Sequence, residues 1–136
     1  MKINELRIGN YINFWGIHKG QLEHITENEC YVNSYLGSVG VLYNDLRPLT
    51  VTSDILLDSG FTRTHSMYFE HDKGKHCIQV KLYPNYSYRV IIMNKGIEGI
   101  EKYTISNNCL AGIYTYFHNL QNIMSLISGY ELSLTL

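Results

Sequence analysis

From Leu110 to Ile127 the apolar residues Leu110, Ile113, Phe117, Leu120, Met124 and Ile127 recur at alternating steps of three and four, and the series stops at Gly129. That spacing predicts one long amphipathic helix from about Cys109 to Ser128, opened by Asn107 or Asn108 as N-cap. Beyond the glycine, Leu132, Leu134 and Leu136 alternate with Glu131, Ser133 and Thr135. The period has changed from helical to two, so the last residues should return to a sheet as a closing strand. The helix packs and carries no chemistry.

A chain of 136 residues can bury roughly 68–70% of its unfolded surface, enough for one domain with a proper core. The expected unit is a single domain over 1–136, divisible into a small curled sheet over 1–50 and the remainder over 51–136. An apolar fraction of 45% against 17% charged residues, with two prolines, describes an ordered chain. The twelve tyrosines favour strands and surfaces where a flat apolar face carries a polar tip.

A net charge of −1 excludes generic binding to duplex nucleic acid, which relies on many cations displacing counterions. The start, Met1-Lys2-Ile3-Asn4-Glu5-Leu6-Arg7, is charged and leads into no apolar run, so neither a signal peptide nor a membrane anchor is read there. The apolar stretches fall far short of the ~20 residues a bilayer needs. A cytoplasmic protein is expected. Cys30, Cys77 and Cys109 are odd in number and widely spaced, which suits reduced core thiols.

Short strands with turn signals fill the first half: Leu6 to Phe14 with a bend at Gly9-Asn10, Gln21 to Thr26, Cys30 to Asn33, and Val39 to Tyr43. Their pattern is that of an SH3-like meander. Thr52 or Ser53 with Asp54 opens a short helix through Leu57 that Gly60 ends. A second antiparallel meander follows as Ser66 to His71, His76 to Tyr83, Ser87 to Met93 and Ile97 to Ile105, joined by the turns Asp72-Lys73-Gly74-Lys75, Pro84-Asn85 and Asn94-Lys95-Gly96. The fold class is therefore α+β: two antiparallel β meanders, a short connecting helix, a long C-terminal helix packed on the sheet, and a closing strand.

Three blocks carry a resemblance: Glu5-Leu6-Arg7-Ile8-Gly9-Asn10-Tyr11; Leu46-Arg47-Pro48-Leu49 with Ile55-Leu56-Leu57-Asp58-Ser59-Gly60-Phe61; and His118-Asn119-Leu120-Gln121-Asn122 with Gly129-Tyr130-Glu131-Leu132. Together they resemble a family of short uncharacterised proteins of Bacteroides-type gut bacteria and their phages and mobile elements. The family's middle block runs proline-isoleucine-proline-leucine-threonine with an acidic pair, where this chain has Arg47-Pro48-Leu49-Thr50-Val51-Thr52-Ser53-Asp54. The resemblance implies a small accessory protein and supplies no catalytic residue.

Sites of chemistry are sparse. His71 and His76 flank the Asp72–Lys75 turn with His65 and Cys77 near in sequence, but the spacing fits no zinc pattern and Cys77 should face away from His76. Solvated histidines beside an exposed hairpin are expected, and no metal. There is no Gly-x-Ser-x-Gly elbow, and the stretches Gly37–Gly40 and Gly96–Gly99 lack the setting of a phosphate loop. No catalytic residue and no cofactor are assigned, and a cryptic hydrolase ranks last among the readings.

Between Lys73 and Ile97 stand Lys73, Lys75, Lys81, Arg89 and Lys95 without one Asp or Glu. Alternation puts Gln79, Lys81 and Tyr83 on one strand face. If Arg89 on the next strand shares it, Lys81, Tyr83 and Arg89, with Tyr86 at the turn, make a basic aromatic patch for an anion and a ring. Tyr116 and Ile123 lie off the main helical stripe, and with Tyr130 they offer a face for a partner subunit or another protein. The preferred expectation is a non-catalytic accessory protein that engages a protein partner, or itself as a homo-oligomer. The alternative is sequestration of a small anionic ligand, such as a signalling nucleotide, by the patch, which would be a counter-defence role.

Overall fold

The alternation of apolar and polar residues that marks the first fifty positions resolves into five antiparallel strands. They are β1 (Tyr11–Phe14), β2 (His18–Ile25), β3 (Glu29–Ser34), β4 (Gly37–Leu42) and β5 (Leu46–Pro48), in the order β4-β3-β2-β1-β5. The computed structural model describes residues 3–73, 76–95, 103–105 and 114–136. Inward residues Ile12, Phe14, Leu22, Cys30, Val32, Val41 and Leu46 form the core of this sheet. β5 was not expected, and its three residues lie against β1 with Ile12 opposite Pro48 and Phe14 opposite Leu46.

One close approach fixes the first sheet. A Cβ on Gly20 would stand 2.2 Å from Val32 Cγ1 and 3.1 Å from the Phe14 ring. Glycine is required there because the neighbouring strands' side chains close over it. The bend expected at Gly9 is realised at φ +95°, and the Gly9 amide donates to the Leu22 carbonyl at 2.7 Å.

The chain forms two compact units: residues 1–50 with 116–119 and 136, and residues 51–115 with 120–135. In the second, α1 (Ser53–Asp58) is capped by Thr52, whose hydroxyl accepts from the Ile55 amide, and Gly60 follows at φ +101°. The second sheet contains β6 (Thr62–His65), β7 (Tyr68–His71), β8 (Cys77–Leu82), β9 (Tyr88–Lys95) and β10 (Tyr103–Ile105), in the order β10-β9-β8-β7-β6. Phe69, Ile78, Val80, Leu82, Val90 and Ile92 are buried. The strand expected over Ser66 to His71 is β7 and starts two residues later, because Ser66, at φ +42°, lies in the turn that joins it to β6, a strand not expected.

The C-terminal helix is shorter than its periodicity predicts. α2 spans Phe117–Ile123 and continues as one π turn over Met124–Ser128, closed by Gly129 at φ +69°. The expected start at Cys109 and its cap at Asn107 or Asn108 fall outside the described residues. Tyr114 and Tyr116 are extended, bridged to Tyr88 and Thr50. Backbone bonds between Tyr88 and Tyr114 at 2.7 and 2.9 Å satisfy groups that a helix would have used, and Tyr-Thr-Tyr is a strand-favouring run.

The closing strand is also corrected. Residues 129–136 join no ladder, although Leu132 and Leu134 are buried and Ser133 and Thr135 exposed. Side chains hold the segment instead: Gln121 Nε2 donates to the Leu132 carbonyl, and the Thr135 amide and hydroxyl donate to the Asp58 carboxylate at 2.9 and 2.8 Å. Burial kept the period of two without a strand partner. Among the described residues no helix is long and apolar enough to cross a membrane.

Gly20→Ala should cost roughly 1–3 kcal/mol through overpacking. Gly40→Ala, whose Cβ would meet the Tyr31 ring at 3.5 Å, should be close to neutral. Chemical denaturation of both variants checks the pair, and equal effects would refute the packing argument.

Candidate functional site: a basic aromatic row on the second sheet

Register builds the site. Because Ile78, Val80 and Leu82 of β8 face inward, Gln79 and Lys81 face out. Arg89 of β9 lies directly opposite Lys81, and Tyr68 of β7 lies opposite it on the other side. His65 of β6 is paired with Tyr68 and stacks on it, ring centroids 4.6 Å apart and 19° from parallel. One row thus crosses four strands as His65, Tyr68, Lys81 and Arg89. The condition set by the sequence, that Arg89 share the outer face with Lys81, is met.

The Lys81 ammonium lies over two rings, 5.5 Å from the centroid of Tyr68 and 5.2 Å from that of Tyr83. These contacts hold the lysine stem down and leave the cation in place without a counter-ion among the described residues. No described carboxylate is within ion-pair distance of Lys81 or Arg89. Glu70 is one row away, where it accepts from Gln79 Nε2 at 3.4 Å. Arg89 is exposed, and Lys81, Tyr68 and Tyr83 are half-buried.

The loop after β8 extends the row. Tyr83-Pro84-Asn85-Tyr86 is a turn in which the Tyr86 amide donates to the Tyr83 carbonyl at 3.0 Å, and the Tyr83 amide to the Ser87 carbonyl at 2.8 Å. Asn85 Oδ1 accepts from the Ser87 hydroxyl at 2.6 Å. Tyr86 takes φ +63°, a conformation that ordinarily selects glycine in such hairpins, and its ring is 53% exposed. Tyr83, Pro84, Asn85 and Ser87 line a shallow, largely apolar hollow of about 370 Å³.

Tyr116, Ile123 and Tyr130 are all half-buried. Tyr116 stacks on His118 at 5.7 Å, and Tyr130 rests on His71 at 4.5 Å. Exposed apolar residues cluster at the first sheet's hairpin tips, where Ile17 is 84% exposed, Tyr35 67% and Trp15 49%, and Leu126 on the C-terminal helical turn is as exposed as Ile17. Tyr35 donates to or accepts from His18 Nδ1 at 2.9 Å. Their placement at loop tips, where side chains have no partner strand, was the available signal.

His71 corrects the expectation of a solvated histidine. β7 alternates so that Phe69 and His71 turn inward together, and His71 is 2% exposed between Phe61 and Tyr130. Gly60 makes room for it, since a Cβ there would stand 3.4 Å from His71 Nε2. Among the described residues neither ring nitrogen has a hydrogen-bond partner. Burial holds its pKa down, with Lys73 adding and Asp72 opposing. His118 is buried as well, its pKa lowered by burial and raised in part by Glu5, whose Oε2 stands 3.6 Å from Nε2. His76 is half-buried, and its carbonyl accepts from Ser128 Oγ at 3.3 Å. Among the described residues no three metal-ligating side chains converge.

Cys30 and Cys77 are both buried. Burial pushes the Cys30 thiol up, Glu29 adding to it, which disfavours the thiolate a nucleophile needs. Cys109, Lys75 and the Gly96–Gly99 stretch lie outside the described residues. No family model, curated protein or solved structure matches the chain.

The buried histidines set a pH dependence. The unfolded chain takes up its histidine protons near pH 6.5, while the folded chain holds His71 and His118 neutral to lower pH. Below about pH 6.5 the unfolded state therefore binds more protons, and stability falls as pH falls. Thermal melts between neutral and mildly acidic pH should show that loss. His71→Leu should reduce it and leave stability at pH 7.5 equal or higher, because an unpartnered polar ring is replaced by an apolar side chain. An unchanged acid slope in that variant would refute the assignment.

Proposed function

We propose that this chain is a non-catalytic binding protein whose outer face on the second sheet holds a small ligand combining an anionic group with a flat ring, of the nucleotide class. The observation that carries the reading is Lys81 beside Arg89, two cations across one strand pair with no described counter-ion, flanked by Tyr68 and Tyr83. Arginine supplies forked donors to a phosphate or carboxylate, and a tyrosine face stacks a ring for about 1–3 kcal/mol. An open site combining one stacked ring with two screened charge contacts gives a Kd on the order of 1 mM.

The fit to such a ligand extends to Tyr86. A tyrosine at φ +63° sacrifices stability that glycine would recover, of the order of 1 kcal/mol, and the exposed ring is what the chain gains. The accessory, phage-associated character and the counter-defence role belong to this proposal through the resemblance of the three sequence blocks, as do a cytoplasmic setting, an SH3-like curl of the first meander and packing of the C-terminal helix against a sheet.

A second reading, engagement of a protein partner, is favoured by the exposed Trp15, Ile17 and Tyr35 at the hairpin tips of the first sheet. The two readings use different residues and separate cleanly.

Calorimetric titration with a purine nucleotide, and with inorganic phosphate as the ring-free control, tests the first. The nucleotide should bind more tightly than phosphate and weaken with added salt. Lys81→Ala combined with Arg89→Ala should reduce its affinity at least about tenfold, some 1.4 kcal/mol. Tyr86→Gly should weaken nucleotide binding while raising the melting temperature. Failure of every nucleotide to bind, or binding indifferent to the double variant, would refute the reading.

A further inference from the structure

One end of the first sheet is a strand whose outer edge no described strand covers. β4 reads Gly37-Ser38-Val39-Gly40-Val41-Leu42, without an ionisable residue or a proline. Among the described residues no strand or isolated bridge pairs with its outer edge. The other edges are blunted: β5 is three residues long with Arg47 and Pro48, β6 carries Arg63 and His65 at a register shift, and β10 is only three residues long. Charges, proline and bulges are the usual means of preventing edge pairing, and β4 has none.

Its register states what could pair there. The two-residue loop Tyr35-Leu36 closes on the pair Ser34 and Gly37, which exchange hydrogen bonds in a hairpin of that length. Gly37, Val39 and Val41 therefore turn their amides toward β3, and Ser38, Gly40 and Leu42 turn theirs outward. Side-chain alternation agrees: Val41 is buried and Val39 half-buried, while Ser38, Gly40 and Leu42 are exposed.

We infer that β4 pairs antiparallel with β4 of a second copy of this chain, with Gly40 on the two-fold axis. In that register Gly40 faces the partner's Gly40, Ser38 faces the partner's Leu42, and Val39 faces the partner's Val41. Paired residues then share a face of the sheet, so the apolar side of one copy continues that of the other. The outward amides and carbonyls of Ser38, Gly40 and Leu42 all find partners. No like charges are opposed within the strand, which has none; the nearest carboxylate to the axis is that of Glu29 on β3, whose Oε2 lies 3.6 Å from where a Cβ on Gly40 would stand. The same register carries the exposed loop tip Tyr35-Leu36, 67% and 50% exposed, toward the partner's hollow of about 260 Å³ lined by Glu27, Asn28, Leu42, Tyr43 and Asn44. A strand that is uncharged, self-matched in parity and flanked by an apolar tip at one end and a hollow at the other fits its own copy.

Sedimentation velocity of the full chain over a wide concentration range, with amide hydrogen exchange on the same samples, tests this. The protein should dimerise, and the amides of Ser38, Gly40 and Leu42 should become protected as concentration rises. Gly40→Glu brings two carboxylates together on the axis and should weaken dimerisation at least about tenfold. Ser38→Pro deletes an outward amide without touching the ladder to β3 and should weaken it too, with circular dichroism reporting that both variants stay folded. A monomer at every concentration, a dimer in which those three amides exchange as fast as in dilute solution, or folded variants that dimerise like the parent would each overturn the inference.

Discussion

Everything assigned to the second sheet depends on one register, that of β8 between β7 and β9. Burying Ile78, Val80 and Leu82 with Phe69, Val90 and Ile92 fixes which residues face inward. The opposite parity then has no freedom: Tyr68, Lys81 and Arg89 must meet on the outer face. A slip of one residue would bury Lys81 without a counter-ion, which costs far more than any outer-face contact returns. The hydrophobic core thus positions two cations that gain almost nothing for the fold. Surface charge pairs contribute little in any case, and these two repel each other.

The outer face was readable in the sequence because strands encode it in steps of two. Cys77 to Leu82 shows the alternation directly, and the absence of acid between Lys73 and Ile97 left only the pairing of β8 with β9 to be met. The short helix was equally legible, since Thr52, Asp54 and Gly60 mark both of its ends. Contributions from distant residues were not. Tyr114 and Tyr116 interrupt a faultless helical period because Tyr88 and Thr50, far along the chain, bond to their backbones. Leu132 and Leu134 keep a strand's alternation while Asp58, at a sequence distance of 77 residues, supplies the anchor a ladder would have given. Periodicity records which side of a residue is buried; it is silent on what does the burying.

His71 shows the same limit at one side chain. A histidine next to Asp72 and Lys73 reads as a turn residue, and polar neighbours make a solvated ring the natural expectation. The strand's parity overrides composition: once Phe69 is inside, His71 two positions later is inside as well. The ring is then packed between Phe61 and Tyr130 over a glycine that leaves it room. Its neutrality in the fold is a consequence of that packing and not of any partner.

The left-handed positions separate stability from use. Gly9, Gly16, Gly37, Gly60 and Gly129 all have positive φ, so glycine is available to this chain wherever such a turn is needed. Trp15, Ser66 and Tyr86 adopt the same region without it, at a cost of order 1 kcal/mol each. Ser66 is small and polar, ordinary for an exposed turn. Trp15 and Tyr86 are large rings, about half exposed, and folding alone gives no reason to keep either. Strain accepted for an exposed aromatic ring is a gain only if something stacks on that ring. Tyr86 stands in the turn that follows Tyr83, the ring on which Lys81 rests, where a charged, flat ligand would use both features at once. Trp15 meets Phe14 and His18 edge-on at a hairpin end, which suits an apolar contact. The two strained rings therefore mark different surfaces, and binding on one need not involve the other.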